Sequence, residues 1–322
     1  MRSPELLKPW LNSALPWQHV TLERLSSLEQ QEKLPNAILL TGARGLGKTQ
    51  LAASFATGLL CEAPGVEPCG SCASCQLAGG GAHGDFRWIA PEEGKRAIGV
   101  DAIRSAVTFM QQTSGYGSHK VLVIEPAEAM TAAAANALLK TLEEPPGKAL
   151  LILVSHRSGE LPATVRSRCQ RYNLPHPSRS SALTWLAEQT SCSEPVAQRA
   201  YSLAQAQPLT AVQLIRGEDL TSKEALIMAL EGLLDGSKAT PEALAALNGY
   251  DLDVILEAAL QSVEQRIYSA DGDRVIKADF YRRDKILEWL IANRKGINFG
   301  RDVILPELAR LLVTDIQASM NV

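Results

Sequence analysis

Apolar residues in the first half of the chain form short uninterrupted runs that are separated by amphipathic stretches. Such runs predict strands that are buried on both faces of a parallel sheet. Runs of this kind predict strands at residues 38–40, 121–124 and 150–154, and two mixed segments at 86–90 and 171–174 are also predicted to be strands. Between them apolar residues recur at helical spacing, as in Leu51, Phe55 and Leu59. Strands that alternate with helices predict an α/β domain, a parallel sheet with helices on both faces.

The second half of the chain has a different pattern. After a stretch rich in proline and serine at residues 175–181, no strand pattern is persuasive and apolar residues follow helical spacing to the end. We therefore predict three domains, an α/β domain at residues 1–174, a small helical domain at 175–207 and an all-α domain at 208–322.

The first predicted strand leads into a glycine-rich loop at residues 42–49, Gly-Ala-Arg-Gly-Leu-Gly-Lys-Thr, which satisfies the P-loop pattern G-x-x-x-x-G-K-[ST]. Glycines at Gly42, Gly45 and Gly47 let backbone N–H groups face an anion at the start of the following helix. Lys48 would reach the outer phosphates of ATP or ADP, and the Thr49 hydroxyl would hold Mg²⁺. The alternative is a glycine-rich turn that binds no anion.

Four of the six cysteines fall in a short segment after the P-loop helix, at Cys61, Cys69, Cys72 and Cys75. Four thiolates at these spacings suit a tetrahedral structural Zn²⁺, so residues 61–75 predict a zinc module. Reduced cysteines without a metal are the alternative, but free cysteines prefer burial and this segment is polar and rich in glycine. Further glycines at positions 79–81 and 84 predict a flexible connector.

The strand at residues 121–124 ends in Glu125-Pro126. In a P-loop ATPase an acid at the first of these positions supports the Mg²⁺ shell, and an acid that follows orients the attacking water. Glu125 can serve the first purpose, whereas the Pro126 side chain cannot polarise water. The sequence therefore separates nucleotide binding, which it predicts, from hydrolysis, which it does not.

Composition limits the partners. The net charge is −3, with 46% hydrophobic and 21% charged residues, which is typical of a soluble globular protein. A protein that binds mainly through phosphate contacts to DNA would be strongly basic, so any DNA contact is expected to be local or shared with partners. The sequence shows no signal-peptide pattern and no apolar run long enough to span a membrane. The expected location is the cytoplasm.

With these motifs in view, the chain resembles AAA+ clamp-loader subunits, and most of all the delta-prime family of bacterial DNA polymerase III. The resemblance rests on the P-loop, the four-cysteine insertion, the segment Asn-Ala-Leu-Leu-Lys-Thr-Leu-Glu-Glu-Pro-Pro at residues 136–146 and Ser-Arg-Cys at 167–169. It covers residues 1 to about 207 well and the remainder only in class and position.

The resemblance implies an AAA+ module, a helical lid at residues 175–207 and a collar at 208–322 that holds a pentameric ring. In this family the ring contains gamma/tau and delta subunits and loads a sliding clamp onto primed DNA with ATP. It is a component of the DNA-directed DNA polymerase, a nucleotidyltransferase. The resemblance also implies that Arg168 is an arginine finger, a catalytic residue that acts in the ATP site of a neighbouring subunit.

The sequence departs from the ATP-hydrolysing members in two places. Pro126 follows Glu125, and the lid region where active relatives have an arginine, around residues 209–211, has none. Lys48 and Thr49 are nevertheless present, although some delta-prime subunits have lost the P-loop lysine. The expected function is that of a subunit that binds nucleotide, has no ATPase activity of its own and supplies Arg168 in trans.

Two other functions remain open at this point. The intact P-loop would also fit an active ATPase of the gamma/tau type, which Pro126 opposes. The cysteine segment would also fit a zinc-dependent nucleic-acid binder, which the acidic net charge and the lack of interleaved basic and aromatic residues oppose.

Overall fold

The computed structural model describes residues 14–63, 65, 67–115, 119–217, 220–238, 240–269, 277–294 and 300–313. The chain divides into two compact units. The first comprises Met1–Ala197 and Ala206–Val212, and the second comprises Gln198–Gln205 and Gln213–Val322. The division into three domains at residues 174 and 207 stays a prediction.

The first unit contains a five-stranded parallel sheet. Its strands are β1 (Ala37–Thr41), β2 (Phe86–Ile89), β3 (Lys120–Ile124), β4 (Ala149–Val154) and β5 (Gln170–Asn173). Their order across the sheet is β2-β3-β4-β1-β5, so that β1, β3 and β4 are internal and β2 and β5 are edges. All five predicted strands are present, and no end differs by more than one residue.

The internal strands have no exposed residue because helices cover both faces of the sheet. Successive side chains point to opposite faces, and along β1 Ile38 and Leu40 belong to one core cluster while Leu39 belongs to the other. Only Tyr172 is buried on the edge strand β5. Near-continuous apolar sequence therefore marks the strands at the centre of the sheet, as expected for a parallel sheet.

Helices follow the strands along the chain. They are α1 (His19–Gln30), α2 (Lys48–Leu60), α3 (Ala73–Gly79), α4 (Val100–Gln111), α5 (Ala132–Glu143), α6 (Ala163–Arg166), α7 (Arg179–Thr190), α8 (Glu194–Leu203) and α9 (Pro208–Arg216). Residues of α1 and α2 pack on one face of the sheet, and residues of α4 and α5 pack on the other. This arrangement confirms the predicted α/β class.

The second unit is helical in its described residues. Its helices are α10 (Leu220–Leu234), α11 (Thr240–Leu247), α12 (Leu252–Ser269), α13 (Lys277–Arg294) and α14 (Arg301–Val313). Their apolar faces form one core around Leu230, Ile255, Ile286 and Leu308, all of which are fully buried. Among the described residues, no helix combines the length and the apolarity that crossing a membrane requires.

The predicted flexible connector at residues 79–84 is wrong in part. α3 continues to Gly79, and the backbone N–H groups of Gly80 and Gly81 donate to carbonyls of that helix. His83 and Asp85, which flank Gly84, are almost fully buried. The glycines form a hydrogen-bonded helix end, which a composition rich in glycine does not distinguish from a loose linker.

Candidate functional site

The P-loop joins the buried strand β1 to α2, as its sequence predicts. Gly47 has φ 83°, a left-handed conformation that disfavours other residues, and it caps the first turn of α2. A Cβ atom at Gly47 would overlap the side chains of Leu15 and Gln18. Local backbone geometry and close packing therefore both require glycine at this position.

Two side chains before α1 hold the carbonyl groups of the loop. Gln18 is fully buried, and its Nε2 donates to the carbonyl oxygens of Leu46 at 3.0 Å and Gly47 at 2.7 Å. Trp17 Nε1 also donates to the Leu46 oxygen, at 3.0 Å. The sequence did not indicate this role, because a single glutamine has no spacing that would reveal it.

Other carbonyl groups of the loop also have donors. The backbone N–H of Leu209, at the start of α9, donates to the Gly45 oxygen at 3.1 Å. Lys48 Nζ donates to the oxygens of Gly42 and Ala43 at 2.7 and 2.6 Å. In contrast, the backbone N–H groups of residues 44–49 have no acceptor among the described residues. The carbonyl groups of the loop thus accept hydrogen bonds from the protein, whereas its N–H groups are available to an anion.

Lys48 is the cation at the end of the loop, and it is only 2% exposed. Burial lowers the pKa of Lys48 to about 8, which the nearby carboxylates of Glu128 and Glu125 oppose and the Arg44 charge assists. The amine therefore stays protonated below that pH. Among the residues that the structure describes, two carbonyl groups accept from this buried ammonium ion, and a phosphate could supply the acceptor for its third N–H.

Thr49 and Glu125 meet as the sequence predicts. Glu125, which follows β3, is 2% exposed and accepts a hydrogen bond from the Thr49 hydroxyl. His156 Nε2, after β4, lies 3.9 Å from Glu125 Oε1. Carboxylate and hydroxyl oxygens are the ligands that Mg²⁺ prefers, so Thr49 and Glu125 could hold this ion beside bound phosphates.

Glu128 is the next acid along the chain, but it has another partner. Its Oε1 accepts the backbone N–H of His156 at 3.0 Å. Glu128 lies in a short 3-10 turn and not at the start of α5, whose N-cap is Thr131. The residue that follows Glu125 is Pro126, so that position has no carboxylate.

The four predicted zinc ligands come together. The sulfur atoms of Cys61, Cys69, Cys72 and Cys75 all lie within 4.8 Å of one another. Zinc–sulfur bonds of about 2.3 Å in a tetrahedron place sulfur atoms about 3.8 Å apart, and the Cys61 and Cys72 sulfurs are separated by 3.9 Å. The cluster therefore could hold a metal ion at tetrahedral distances.

Backbone donors surround these sulfurs. The N–H groups of Cys69, Cys72 and Cys75 point to the sulfurs of Cys61, Cys69 and Cys72 respectively, each at 3.4 Å. Hydrogen bonds from the Ser71 side chain and backbone lower the pKa of Cys69 to about 6, whereas burial raises the pKa of Cys75. N–H donors stabilise thiolates, which are the form that binds a metal.

A buried polar contact attaches the cysteine segment to the sheet. Ser74 lies between two cysteines, and its Oγ is 2.9 Å from His83 Nε2. His83 Nδ1 accepts the backbone N–H of Asp85 at 3.0 Å, so Nε2 carries the hydrogen and donates to Ser74. The Asp85 carboxylate in turn pairs with Lys120 at 3.2 Å. The sequence did not indicate these contacts, because their members are separated along the chain.

Arg168 follows α6 at the surface, and its side chain is 35% exposed. It pairs with Glu143, the last residue of α5, and donates to the Thr164 carbonyl. The structure brings Lys48, Thr49 and Glu125 together and places Arg168 in a separate set of contacts.

Comparison with known proteins identifies the family. A family model described as "DNA polymerase III, delta subunit" matches residues 17–178. The DNA polymerase III subunit delta′ of Pseudomonas aeruginosa is 34% identical to this chain, and the match covers 91% of the chain and 95% of that relative. The chain belongs to the delta-prime family of DNA polymerase III.

Other relatives support this assignment. The subunit delta′ of Escherichia coli is 36% identical over 67% of this chain and 65% of its own length. The DNA polymerase III subunit tau of Bacillus subtilis is 36% identical over 48% of this chain but only 27% of its own length. The predicted resemblance is confirmed, and the structure has the expected α/β domain followed by a helical region.

Proposed function

We propose that this chain is a non-hydrolysing subunit of a clamp loader that binds ATP or ADP with Mg²⁺ and supplies Arg168 to the ATP site of a neighbouring subunit. One observation carries the proposal. The phosphate-binding parts of the P-loop are assembled around Lys48, Thr49 and Glu125, whereas Pro126 occupies the position of the catalytic acid.

Nucleotide binding follows from the donors of the loop. The N–H groups of residues 44–49 and the positive end of the α2 dipole face the place where phosphates would lie. Bound phosphates would take over the Lys48 ammonium from the Gly42 and Ala43 carbonyls. Thr49 and Glu125 would then hold Mg²⁺, whose charge neutralises the phosphate oxygens.

Hydrolysis lacks its general base. Pro126 has no side chain that accepts a proton, and Glu128 lies two positions further on and binds the backbone N–H of His156 through one carboxylate oxygen. Loss of a positioned base typically costs about two to four orders of magnitude in rate. The chain would therefore retain its nucleotide through a loading cycle in which other subunits turn over.

The family relationship supports a set of partners. We propose that the chain assembles with gamma/tau and delta subunits in a pentameric ring, acts in the cytoplasm and meets the sliding clamp and primed DNA through that complex. Residues 175–207 would form the lid and residues 208–322 the collar. The acidic net charge of −3 supports a role through protein partners and not through extensive DNA contact of its own.

The cysteine cluster is proposed to be a structural zinc site with Cys61, Cys69, Cys72 and Cys75 as ligands. Four sulfurs that lie within 4.8 Å of one another would fill a tetrahedral coordination shell and leave no position for a substrate. The metal would fix the segment between α2 and α3. In this chain the metal would therefore have a structural role and no catalytic role.

An active gamma/tau-type ATPase is the second candidate, and the intact Lys48 and Thr49 favour it. A steady-state ATPase assay on the purified chain, alone and in a reconstituted complex with gamma and delta, distinguishes the two functions. We expect nucleotide binding without turnover by the isolated chain and turnover by the complex. Hydrolysis by the isolated chain that disappears in the Lys48→Ala variant would support the motor function instead.

A further inference from the structure

We propose that Glu143 is the positioning residue of Arg168, which it holds with two donors of the guanidinium left available to a phosphate of the adjoining subunit. The inference rests on the proposed in-trans role of Arg168. It assigns a task to an acid that the sequence had included only as part of the segment 136–146.

The guanidinium of Arg168 is held on two sides by its own chain. Its Nε and Nη2 lie 2.7 and 2.5 Å from the same oxygen of Glu143, Oε1. On the other side, Nη1 donates to the Thr164 carbonyl oxygen at 2.9 Å. A longer contact of 3.4 Å joins Nη1 to the Ser167 hydroxyl.

These contacts leave a defined set of donors. A guanidinium has an N–H at Nε and a pair of N–H groups on each Nη atom. Glu143 takes the edge formed by Nε and Nη2, and Thr164 takes a donor of Nη1. One N–H on Nη2 remains, and the second N–H of Nη1 makes only the long 3.4 Å contact with the Ser167 hydroxyl, which a phosphate oxygen could replace. Such a pair of donors matches two oxygens of a phosphate.

Glu143 belongs to a helix that is packed against the sheet. Glu143 is the last residue of α5, whose Leu138 and Leu142 are buried in the core beneath the sheet. A long arginine side chain at the surface would otherwise occupy many rotamers and lose that freedom when it engages a phosphate. A carboxylate fixed on a packed helix removes much of this cost before the subunits meet.

The ion pair between Glu143 and Arg168 is expected to contribute little to the free energy of unfolding. Glu143 and Arg168 are 48% and 35% exposed in their side chains, and exposed ion pairs contribute little to folding. Replacement of Glu143 should therefore leave the chain folded and able to assemble. This separates an effect on positioning from an effect on structure.

A double-mutant cycle in the reconstituted clamp loader tests the inference, with DNA-stimulated ATPase measured for the wild type, Glu143→Ala, Arg168→Ala and the double variant. We expect Glu143→Ala to lower kcat roughly tenfold, since misplacement of a positioned group has effects of this order, with little change in KM. In the Arg168→Ala background the same substitution should have no further effect, because Glu143 acts only through Arg168. Glu143→Gln keeps an acceptor oxygen and should retain part of the activity.

Glu144→Ala is the matched control, since Glu144 is an exposed neighbouring acid, and it should behave as wild type. If Arg168→Ala lowers the rate and Glu143→Ala does not, the positioning role is overturned while the finger stands. An additive loss in the double variant, or a faster rate with Glu143→Ala, would equally overturn it. Full activity of Arg168→Ala would overturn the finger itself and the role of Glu143 with it.

Discussion

The hydroxyl of Thr49 donates a hydrogen bond to Glu125 Oε1, which joins the end of the P-loop to the end of β3. Both oxygens are ligands of the kind that Mg²⁺ prefers. Thr49→Val removes the hydroxyl at nearly constant volume, so we expect Mg²⁺ to lose most of its contribution to ADP affinity. Titration calorimetry with and without Mg²⁺ measures this difference.

Thr57→Val is the control for that experiment. Thr57 lies on the same helix, is fully buried, and its hydroxyl has no partner among the described residues. The control should keep the Mg²⁺ dependence of the wild type. An unchanged Mg²⁺ dependence in Thr49→Val would remove Thr49 from the proposed ion site.

Nucleotide affinity should depend on pH through Lys48. Its pKa is lowered to about 8, so the ammonium form, which attracts phosphate, dominates below pH 8 and is lost above it. ADP affinity is therefore expected to be highest below pH 8 and to fall above it by at most about tenfold per pH unit, the limit for one linked proton. Calorimetry between pH 7 and 9.5 checks this.

Lys48→Arg provides the comparison, since a guanidinium keeps its charge across this range. Its affinity would be weaker because the fork does not fit the same space, but it should be independent of pH. A flat profile for the wild-type chain would show that the protonation of Lys48 does not govern phosphate binding.

Gln18 should matter to the P-loop although it is distant from it in sequence. Gln18→Leu removes the hydrogen bonds to the Leu46 and Gly47 carbonyls, each of which contributes about 0.5–1.5 kcal/mol. Both oxygens keep one other donor, Trp17 Nε1 and the Leu51 N–H respectively. We expect a lower melting temperature and weaker ADP binding. Gln30 is an exposed residue at the end of α1, and Gln30→Leu is the control. It should change neither the melting temperature nor the affinity for ADP. Nucleotide affinity that survives in Gln18→Leu would show that the loop keeps its shape without this support.

One zinc ion per chain is expected, held by four thiolates. Cys72→Ser should abolish stoichiometric zinc and loosen residues 61–75 while the sheet persists, because the site closes a local loop. Metal analysis and limited proteolysis measure these effects. Cys192→Ser, outside the cluster, should retain zinc. Protein prepared without a chelator that contains no zinc would rule the site out.

Much of the first unit could be predicted from sequence because its signals are local. The apolar run at residues 121–124 becomes β3 with every residue buried, and the P-loop pattern fixes both β1 and α2. The cluster of four cysteines could also be predicted from the spacing of these residues alone. In each case the residues that meet in space are neighbours in sequence or follow a known period.

Contacts between distant segments could not be predicted. Gln18 reaches Gly47, His83 reaches Ser74 and Glu143 reaches Arg168 through the fold, and no periodicity connects the members of these pairs. The glycines at residues 79–81 were misjudged for a related reason, since composition does not show which backbone groups find partners. Positioning residues are for this reason the part of a site that sequence reveals least.

The most direct test of the account is the DNA-stimulated ATPase rate and clamp loading of a reconstituted complex that contains Arg168→Ala. The variant should fold, assemble, retain zinc and bind nucleotide as the wild type does. The adjoining ATP site should nevertheless lose much of the roughly 10³–10⁵-fold acceleration that arginine fingers supply. Arg168→Lys should rescue poorly because a point charge does not replace the planar fork, whereas Arg166→Ala should have no effect. A complex with Arg168→Ala that assembles normally and shows full ATPase and clamp loading would contradict the account.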